Sequence, residues 1–89
     1  MQEDAYPVPF TLRREPPWFR LLNASDETVH GVALSLHGPG RLAANAPATL
    51  HAGEALEVVV YGEQLERGTI LVVRWFRPDR TEYLWRVSF

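Results

Sequence analysis

The chain lacks cysteine and lysine altogether, although it is 89 residues long. Without cysteine it can form no disulfide and no thiolate metal site. All nine of its basic residues are arginine, which proteins favour at interfaces and for two-pronged pairing with carboxylates. GC-rich codon usage is the other explanation for the missing lysine, and composition alone leaves both open.

A strong charge excess and a long apolar run are also missing. The formal net charge is −2, whereas nucleic-acid-binding domains usually carry a marked basic excess. No apolar run approaches the roughly 20 residues of a membrane-spanning helix. The first ten residues are acidic and polar and include Pro7 and Pro9, so they lack the basic start and apolar centre of a signal peptide. We therefore expect a cytoplasmic protein that binds no nucleic acid and has no membrane span.

No segment has the apolar spacing of an amphipathic helix, and the strand period of two prevails instead. Turn residues recur about every 8–12 positions, which is typical of a β-sandwich or small barrel. We expect a flexible tail over residues 1–7 and one domain over residues 8–89. Glu15-Pro16-Pro17 predicts an extended break after the first strand. The predicted strands cover residues 8–13, 18–23, 28–37, 55–61, 70–76 and 83–89, with a short strand or a crossing within 41–48.

The last two predicted strands are joined by Pro78-Asp79-Arg80. Pro78 sets the backbone angle needed at the second position of a type I turn, and Asp79 suits the third position. In a three-residue hairpin loop the next residue takes a left-handed conformation and closes a bulge. Glycine is usual there, so Arg80 predicts a strain of roughly 1 kcal/mol.

The length of this loop decides which side chains of the hairpin are buried, because a shift of one residue exchanges the two faces of a strand. A two-residue loop would place Arg74 beside Trp85 on the buried side, so we adopt the three-residue loop. Its buried face is wholly apolar and comprises Leu71, Val73, Trp75, Tyr83, Trp85, Val87 and Phe89. Its outer face alternates arginines with large apolar groups and comprises Ile70, Val72, Arg74, Phe76, Glu82, Leu84, Arg86 and Ser88.

The segment Leu50-His51-Ala52-Gly53-Glu54-Ala55-Leu56-Glu57-Val58 resembles the Leu-x-x-Gly-Glu-x-x-x-Val segment of bacterial immunoglobulin-like and fibronectin-III-like domains, which joins a short strand to a central one. The resemblance implies an all-β, immunoglobulin-like β-sandwich of six to seven antiparallel strands that ends in a β-hairpin. Residues 18–37 would then hold the second and third strands, and residues 69–89 the last two. The chain is also similar to small uncharacterised actinobacterial proteins, and it differs from antibody-type domains in lacking paired cysteines. The resemblance implies a fold and leaves activity open.

The residue types that carry catalysis or metal binding form no recognisable constellation. His30 and His37 lie seven residues apart on one predicted strand, so they point to opposite faces and cannot share a metal ion unless the strand carries a bulge. Ser35 lies close to His37 on one face, but it belongs to no nucleophile motif and lies near no oxyanion-hole element. The glycosylation sequon at Asn23 is incidental in a protein without a secretory signal. We therefore expect no enzyme activity, no metal and no cofactor.

The outer face of the closing hairpin is the strongest candidate for a binding surface. Arginine and aromatic residues are enriched in interface cores, and exposed apolar clusters often mark contact sites. We predict an interaction module that binds another protein or itself, with a homodimer as one form. The alternative is a solvated face on which arginine stems cover the apolar groups and Arg74 or Arg86 pairs with Glu82. The candidate partner-binding residues are Ile70, Val72, Arg74, Phe76, Leu84 and Arg86.

A carbohydrate-binding module is the second functional hypothesis, because such β-sandwiches stack sugars on exposed aromatic residues. Trp75, Tyr83 and Trp85 fall on the predicted buried face, which leaves Trp18 and Tyr61 as candidates. The sequence does not decide which side of its strand Trp18 faces. This hypothesis requires a secreted protein and an exposed ring on a flat or grooved surface.

Overall fold

The computed structural model describes residues 6–89, so residues 1–5 of the predicted tail lie outside the described residues. Apart from one short 3-10 helix at Leu65–Arg67, the regular structure of this part consists of strands. No helix within it is long and apolar enough to cross a membrane. In chain order the strands are β1 (Phe10–Glu15), β2 (Trp18–Asn23), β3 (Val29–His37), β4 (Arg41–Ala44), β5 (Ala48–Leu50), β6 (Ala55–Tyr61), β7 (Ile70–Phe76) and β8 (Glu82–Ser88).

The strands form two antiparallel four-stranded sheets, which confirms the predicted all-β sandwich. Sheet one has the order β1-β2-β6-β4, and sheet two has the order β5-β3-β7-β8. The described residues hold eight strands rather than six or seven, because the stretch from Arg41 to Leu50 contains both β4 and β5. These two short strands belong to different sheets, so the chain crosses from one sheet to the other between them.

The connection between β1 and β2 is a tight turn and not the extended break that its prolines predicted. β1 pairs with β2 as far as Glu15 opposite Trp18, which leaves only Pro16 and Pro17 in the turn. The peptide bond between the two prolines is cis, as in the class of tight turns with a cis proline at the third position. The first strand also begins at Phe10 and ends at Glu15, two residues later than predicted at each end.

β3 carries a bulge that sequence patterning did not reveal. His30 lies opposite Phe76 and Ala33 lies opposite Arg74, so two residues of β3 face one residue of β7. Because the extra residue reverses the alternation of the strand, His30 and His37 point to the same side of sheet two. The prediction of opposite sides was wrong. Their positions are still separated by about 20 Å along the strand, so the two imidazoles cannot share a metal ion.

The hairpin of β7 and β8 has the predicted three-residue loop. The backbone amide of Arg77 donates to the carbonyl of Thr81 at 3.0 Å, and the amide of Arg80 donates to the carbonyl of Arg77 at 2.8 Å. Arg80 is left-handed, with a φ of 70°. The register is the predicted one throughout, with Trp75 opposite Tyr83.

Trp75 lies in the centre of the core, with only 1% of its surface exposed. Its ring packs edge-on against Phe10, with 4.9 Å between centroids, and stacks with Tyr83 at 5.9 Å. The indole Nε1 donates to the hydroxyl of Tyr6 at 3.3 Å, so Tyr6, which the predicted tail included, packs against the core. The other buried apolar residues are Phe19, Leu21, Val29, Val32, Leu50, Leu56, Val58, Val60, Leu71, Val73 and Val87.

The edge position of β8 limits how deeply its inward side chains are buried. Tyr83 and Trp85 face the core as predicted, but they are half-buried because β8 has a neighbouring strand on one side only. Val87, further along the same strand, is buried. The two faces of the hairpin are therefore those expected, and its free edge runs along β8.

Candidate functional site

The outer face of sheet two is a grid of side chains from β3, β7 and β8. Residues directly opposite one another on antiparallel strands point to the same side of the sheet, so the observed pairing defines the rows of this grid. The central strand β7 supplies mainly apolar groups, and its neighbours supply mainly polar ones. The four rows are His30–Phe76–Glu82, Ala33–Arg74–Leu84, Ser35–Val72–Arg86 and His37–Ile70–Ser88.

The structure brings all six candidate residues together on this face. Leu84 has the largest exposed fraction, 62%, among the large apolar side chains of residues 6–89. Arg74 and Arg86 are exposed beside it. The remaining three, which are half-buried on β7, are Ile70, Val72 and Phe76. The face thus combines apolar contact area with two guanidinium groups.

The Phe76 ring lies against the bulge of β3. A Cβ atom on Gly31 would lie 3.0 Å from Cδ2 of Phe76, so the ring rests directly on the bare backbone of the bulge. Beside the ring lies an open hollow of about 540 Å³, which is lined by His30, Phe76, Arg77, Pro78 and Arg80. The glycine of the bulge therefore leaves the space that the Phe76 ring occupies.

Arg74 pairs with Glu82 within this face, with 3.7 Å between Nη1 and Oε2. The side chains are 53% and 46% exposed, and exposed pairs of this kind contribute about 0–1 kcal/mol. Of the two predicted alternative partners of Glu82, Arg74 and Arg86, the observed partner is Arg74. Arg86 forms no ion pair within residues 6–89. Both guanidinium groups therefore remain accessible to a partner.

Arg86 lines a second open hollow, of about 250 Å³, together with His37, Ile70 and Val72. At its edge Ser35 Oγ lies 3.2 Å from Nε2 of His37. A catalytic serine also needs a group that orients its base and donors that stabilise the developing charge. Within the described residues that bond is the one side-chain hydrogen bond of the His37 ring.

The histidines are dispersed over the sandwich. Nδ1 of His51 lies 3.1 Å from Oγ1 of Thr28, a contact that involves neither His30 nor His37. Over residues 6–89 no three side chains of the metal-ligating types His, Cys, Asp and Glu come together.

The outer face of sheet one carries the two aromatic residues of the carbohydrate hypothesis. Trp18 is 58% exposed and Tyr61 is 53% exposed. Trp18 lies opposite Val59, which is two residues before Tyr61 on β6, so the rings are diagonal neighbours on one face. The side of Trp18, which the sequence left open, is therefore the solvent side.

A groove of about 340 Å³ runs beside Trp18 and is lined by Arg13, Glu15, Trp18, Phe19, Arg20 and Glu57. Arg13 pairs with Glu15 at 2.8 Å, and Arg20 pairs with Glu57 at 2.9 Å. Sequence reasoning did not group these charges, because it separated β1 from β2 by an extended break. The tight turn sets Arg13 directly opposite Arg20.

No family model, curated protein or solved structure matches the chain. What the protein does therefore has to be inferred from the chemistry of its own surfaces. The outer face of sheet two offers apolar area with arginines around Leu84. The outer face of sheet one offers two exposed rings, Trp18 and Tyr61, beside paired charges.

Proposed function

We propose that the chain is a non-enzymatic, immunoglobulin-like module that binds a protein through the outer face of sheet two. The partner is either a different protein or a second copy of the chain. The observation that carries the proposal is Leu84, which stands 62% exposed on a face that it shares with Arg74 and Arg86. A large apolar side chain with two guanidinium groups beside it is typical of a contact site.

The order of the strands supports the immunoglobulin-like class. A constant-type immunoglobulin sandwich has strands A, B, E and D in one sheet and C, F and G in the other. With β1, β2, β3, β4, β6, β7 and β8 taken as A to G, sheet one reads A-B-E-D and sheet two contains C-F-G. β5 is then an additional short strand beside C. The segment from Leu50 to Val58 joins this short strand to the internal strand β6, as in the family that it resembles.

The composition of the face supports protein binding. Ile70, Val72 and Phe76 supply half-buried apolar area on the central strand, and Arg74 and Arg86 stand beside them. Arginine and aromatic residues are prominent among those whose truncation costs the most binding energy. A long arginine stem covers apolar area in the free protein and can turn its guanidinium to a carboxylate of the partner.

The test replaces a basic and an apolar side chain at the centre of the face with acidic ones. Arg74→Glu combined with Leu84→Glu changes one arginine and one exposed apolar group, and neither side chain is buried. Trp18→Glu combined with Arg20→Glu makes the matched change on sheet one, where both side chains are also exposed. Mass in solution is measured by sedimentation, and retention of a partner from a source-cell extract is measured on immobilised chain.

We expect the sheet-two variant to lose self-association or partner retention and the sheet-one variant to keep it. Circular dichroism and thermal unfolding check that both variants are folded. A sheet-two variant with the mass and the partner of the unchanged chain contradicts the proposal. A chain that is monomeric and retains no protein contradicts it as well.

Carbohydrate binding is the second candidate function, and the rings on sheet one favour it. Trp18 and Tyr61 each expose more than half of their surface on one face, and a flat ring with an apolar body suits the apolar side of a sugar. Arg20 and Glu57 beside them supply donors and acceptors for hydroxyl groups.

Tryptophan fluorescence tests this candidate with a panel of oligosaccharides. We expect a saturable change in emission for a bound sugar, and we expect the change to be absent in Trp18→Ala, which keeps the buried Trp75 and the half-buried Trp85. If no sugar changes the emission of the unchanged chain, or if Trp18→Ala responds equally, the rings are not a sugar site.

A further inference from the structure

β8 is the edge strand of sheet two, and its backbone offers a row of outward hydrogen-bonding groups. The bond from the amide of Arg77 to the carbonyl of Thr81 closes the hairpin, and bonded and non-bonded pairs alternate from there along the two strands. The non-bonded positions of β8 point their N–H and C=O groups away from β7. These positions are Glu82, Leu84, Arg86 and Ser88.

The observed contacts agree with this direction. Nη1 of Arg14 donates to the carbonyl of Ser88 at 2.9 Å, so that outward carbonyl is occupied. Within residues 6–89 no hydrogen bond reaches the outward backbone groups of Glu82, Leu84 and Arg86. The strand contains no proline and no bulge, which are devices that prevent an edge from pairing with another strand.

The charges of the edge are of opposite sign and are placed symmetrically about Leu84. Glu82 lies two residues before Leu84, and Arg86 lies two residues after it. All three side chains project on the outer face, and all three are exposed. Charges on an edge strand usually oppose pairing with a second strand, but charges arranged in this way favour a strand that runs in the reverse direction.

We propose that the partner of this surface is a second copy of the chain, which pairs antiparallel along β8 about a two-fold axis at Leu84. The inference rests on the proposed function, since it names the partner of the same face. Leu84 then faces Leu84 of the second copy, Glu82 faces Arg86, and Tyr83 faces Trp85. The stretch Glu-Tyr-Leu-Trp-Arg is complementary to its own reverse: acid against base, ring against ring, and leucine against itself.

The charges select this register among the symmetric alternatives. An axis at Glu82 would set the two Glu82 carboxylates opposite each other, and an axis at Arg86 would set the two Arg86 guanidinium groups opposite each other. Like charges in directly opposite positions are destabilising. An axis at Trp85 sets Glu82 opposite Ser88 and Arg86 opposite Leu84, so it forms no opposite-charge pair. An axis at Tyr83 sets Glu82 opposite Leu84 and Arg86 opposite Arg80 of the hairpin loop, which is a like charge. The axis at Leu84 is therefore the symmetric register that forms two opposite-charge pairs.

The pairing makes one continuous sheet of eight strands from the two copies of sheet two. The outer faces of the copies then lie side by side, with the two Leu84 side chains at the centre. Five paired residues cover much less area than the roughly 1,200 Å² that stable complexes bury. The dimer is therefore weak, and its population depends on concentration.

A charge exchange tests the register. Sedimentation over about 1 µM to 1 mM spans the affinities of weak complexes, and the unchanged chain should shift from monomer to dimer within this range. Glu82→Arg and Arg86→Glu should each stay monomeric, because each sets like charges opposite each other. An equimolar mixture of the two variants should dimerise, since one presents two arginines and the other two glutamates. A mixture that stays monomeric, or an unchanged chain that never dimerises, overturns the inference.

A disulfide gives a second test, because the chain has no cysteine of its own. Leu84→Cys sets two thiols across the axis with Cα atoms about 5.5 Å apart, a separation that suits a disulfide. Ser88→Cys is the matched control on the same strand and face, where the Cα atoms would lie about 27 Å apart. Mild oxidation should yield at least tenfold more covalent dimer from Leu84→Cys, and equal yields from both overturn the inference.

These outcomes separate the inference from the proposed function. A chain that stays monomeric but retains a different protein, and loses that protein with Arg74→Glu, overturns the inference and leaves the proposed function standing. If dimerisation responds to the charge exchange as expected but is unaffected by Arg74→Glu, the edge pairing is supported. The rest of the outer face of sheet two is then not part of the contact.

Discussion

Arg77 and Glu27 join the closing hairpin to the connection between β2 and β3 by a two-pronged ion pair. Nε of Arg77 lies 2.8 Å from Oε1 of Glu27, and Nη2 lies 3.3 Å from Oε2. The guanidinium carbon also lies 4.0 Å from the centre of the Tyr6 ring. The hydrogen bonds to Glu27 raise the pKa of Arg77 further above its usual range, so the guanidinium stays charged.

Removal of Arg77 should destabilise the fold. Arg77→Ala loses both bonds to Glu27 and the contact with Tyr6, and we expect the melting temperature to fall by several degrees. Glu27→Ala should cost less, because the guanidinium keeps its contact with the ring. Since the two side chains share one interaction, the double variant should be little worse than Arg77→Ala. Calorimetry of the four chains measures this coupling.

Arg20 and Glu57 on sheet one provide the control for that cycle. They also form an ion pair, at 2.9 Å, but their side chains are 56% and 60% exposed. Replacing both with alanine should change the free energy of unfolding by about 0–1 kcal/mol. An equal loss of stability at the two pairs would show that the pair of Arg77 contributes no more than an ordinary surface pair.

Asn23 is a fully buried amide whose hydrogen bonds tie the end of β2 to its surroundings. Its Nδ2 donates to the carbonyls of Glu27 and Leu50, at 2.9 and 3.0 Å. Its Oδ1 accepts from the amide and the hydroxyl of Ser25, at 3.1 and 2.7 Å. The same burial makes the sequon at Asn23 inaccessible to a glycosylating enzyme in the folded chain.

Asn23→Asp should cost about 3 kcal/mol or more, since it replaces a donor by an acceptor that faces two buried carbonyls. Asn45→Asp makes the same chemical change at an exposed position, where we expect an effect within about 0.5 kcal/mol. Urea unfolding of both variants measures the difference. If the two substitutions lower the free energy of unfolding equally, the hydrogen bonds of Asn23 do not stabilise the connection between β2 and β3.

The parts of the fold that sequence reasoning predicted are those governed by local chemistry. The loop at Pro78-Asp79-Arg80 and the period of two on either side of it were enough to fix the register of the closing hairpin. The six candidate residues lie on one face for the same reason, because they all belong to this hairpin. Their contact with β3 was not predictable in detail, since it depends on pairing between distant segments.

The bulge of β3 could not be predicted from the local sequence pattern. The side to which His30 points depends on the extra residue opposite Trp75, and that pairing joins positions more than forty residues apart. The groove beside Trp18 was missed for a related reason. Two consecutive prolines indicate that a strand ends, but they do not indicate whether the chain reverses there.

Arg80 should be a site at which stability can be gained. Its left-handed conformation, with φ of 70°, costs a side-chain-bearing residue about 1 kcal/mol. Arg80→Gly relieves this strain and loses part of the gain to the greater freedom of glycine in the unfolded chain. We expect the free energy of unfolding to rise by up to about 0.5 kcal/mol. Arg80→Ala, which keeps the strain, is the control, and equal stability of the two variants would show that the loop is unstrained.

Asp79 should make the stability of the hairpin depend on pH. Its Oδ1 accepts the backbone amide of Thr81 at 2.9 Å, which lowers its pKa from the ordinary value of 3.8. A lowered folded pKa means that the ionised form stabilises the fold; this contribution is complete above the unfolded pKa and disappears as pH falls through the folded pKa.

Comparison with Asp79→Asn isolates this contribution, because asparagine can accept the same bond without the charge. The difference in melting temperature between the two chains should be constant above about pH 5 and should shrink as pH falls below 3.8. Melting curves between about pH 2 and pH 7 cover both regimes. A difference that does not change with pH would exclude the carboxylate as its cause.

Gly38, just after β3, should tolerate alanine far less well than Gly53 does. Both glycines are left-handed, with φ of 102° and 84°, so alanine costs about 1–2 kcal/mol of strain at either position. A Cβ atom on Gly53 has no neighbour within 4 Å, whereas one on Gly38 overlaps the carbonyl oxygen of Gly68. That carbonyl precedes Thr69, whose hydroxyl donates to the carbonyl of Pro39 at 2.6 Å and links the two loops. Since Gly68 can move only by disturbing this bond, Gly38→Ala should cost about 2 kcal/mol more than Gly53→Ala in urea unfolding, and equal costs would mean that the two loops shift freely.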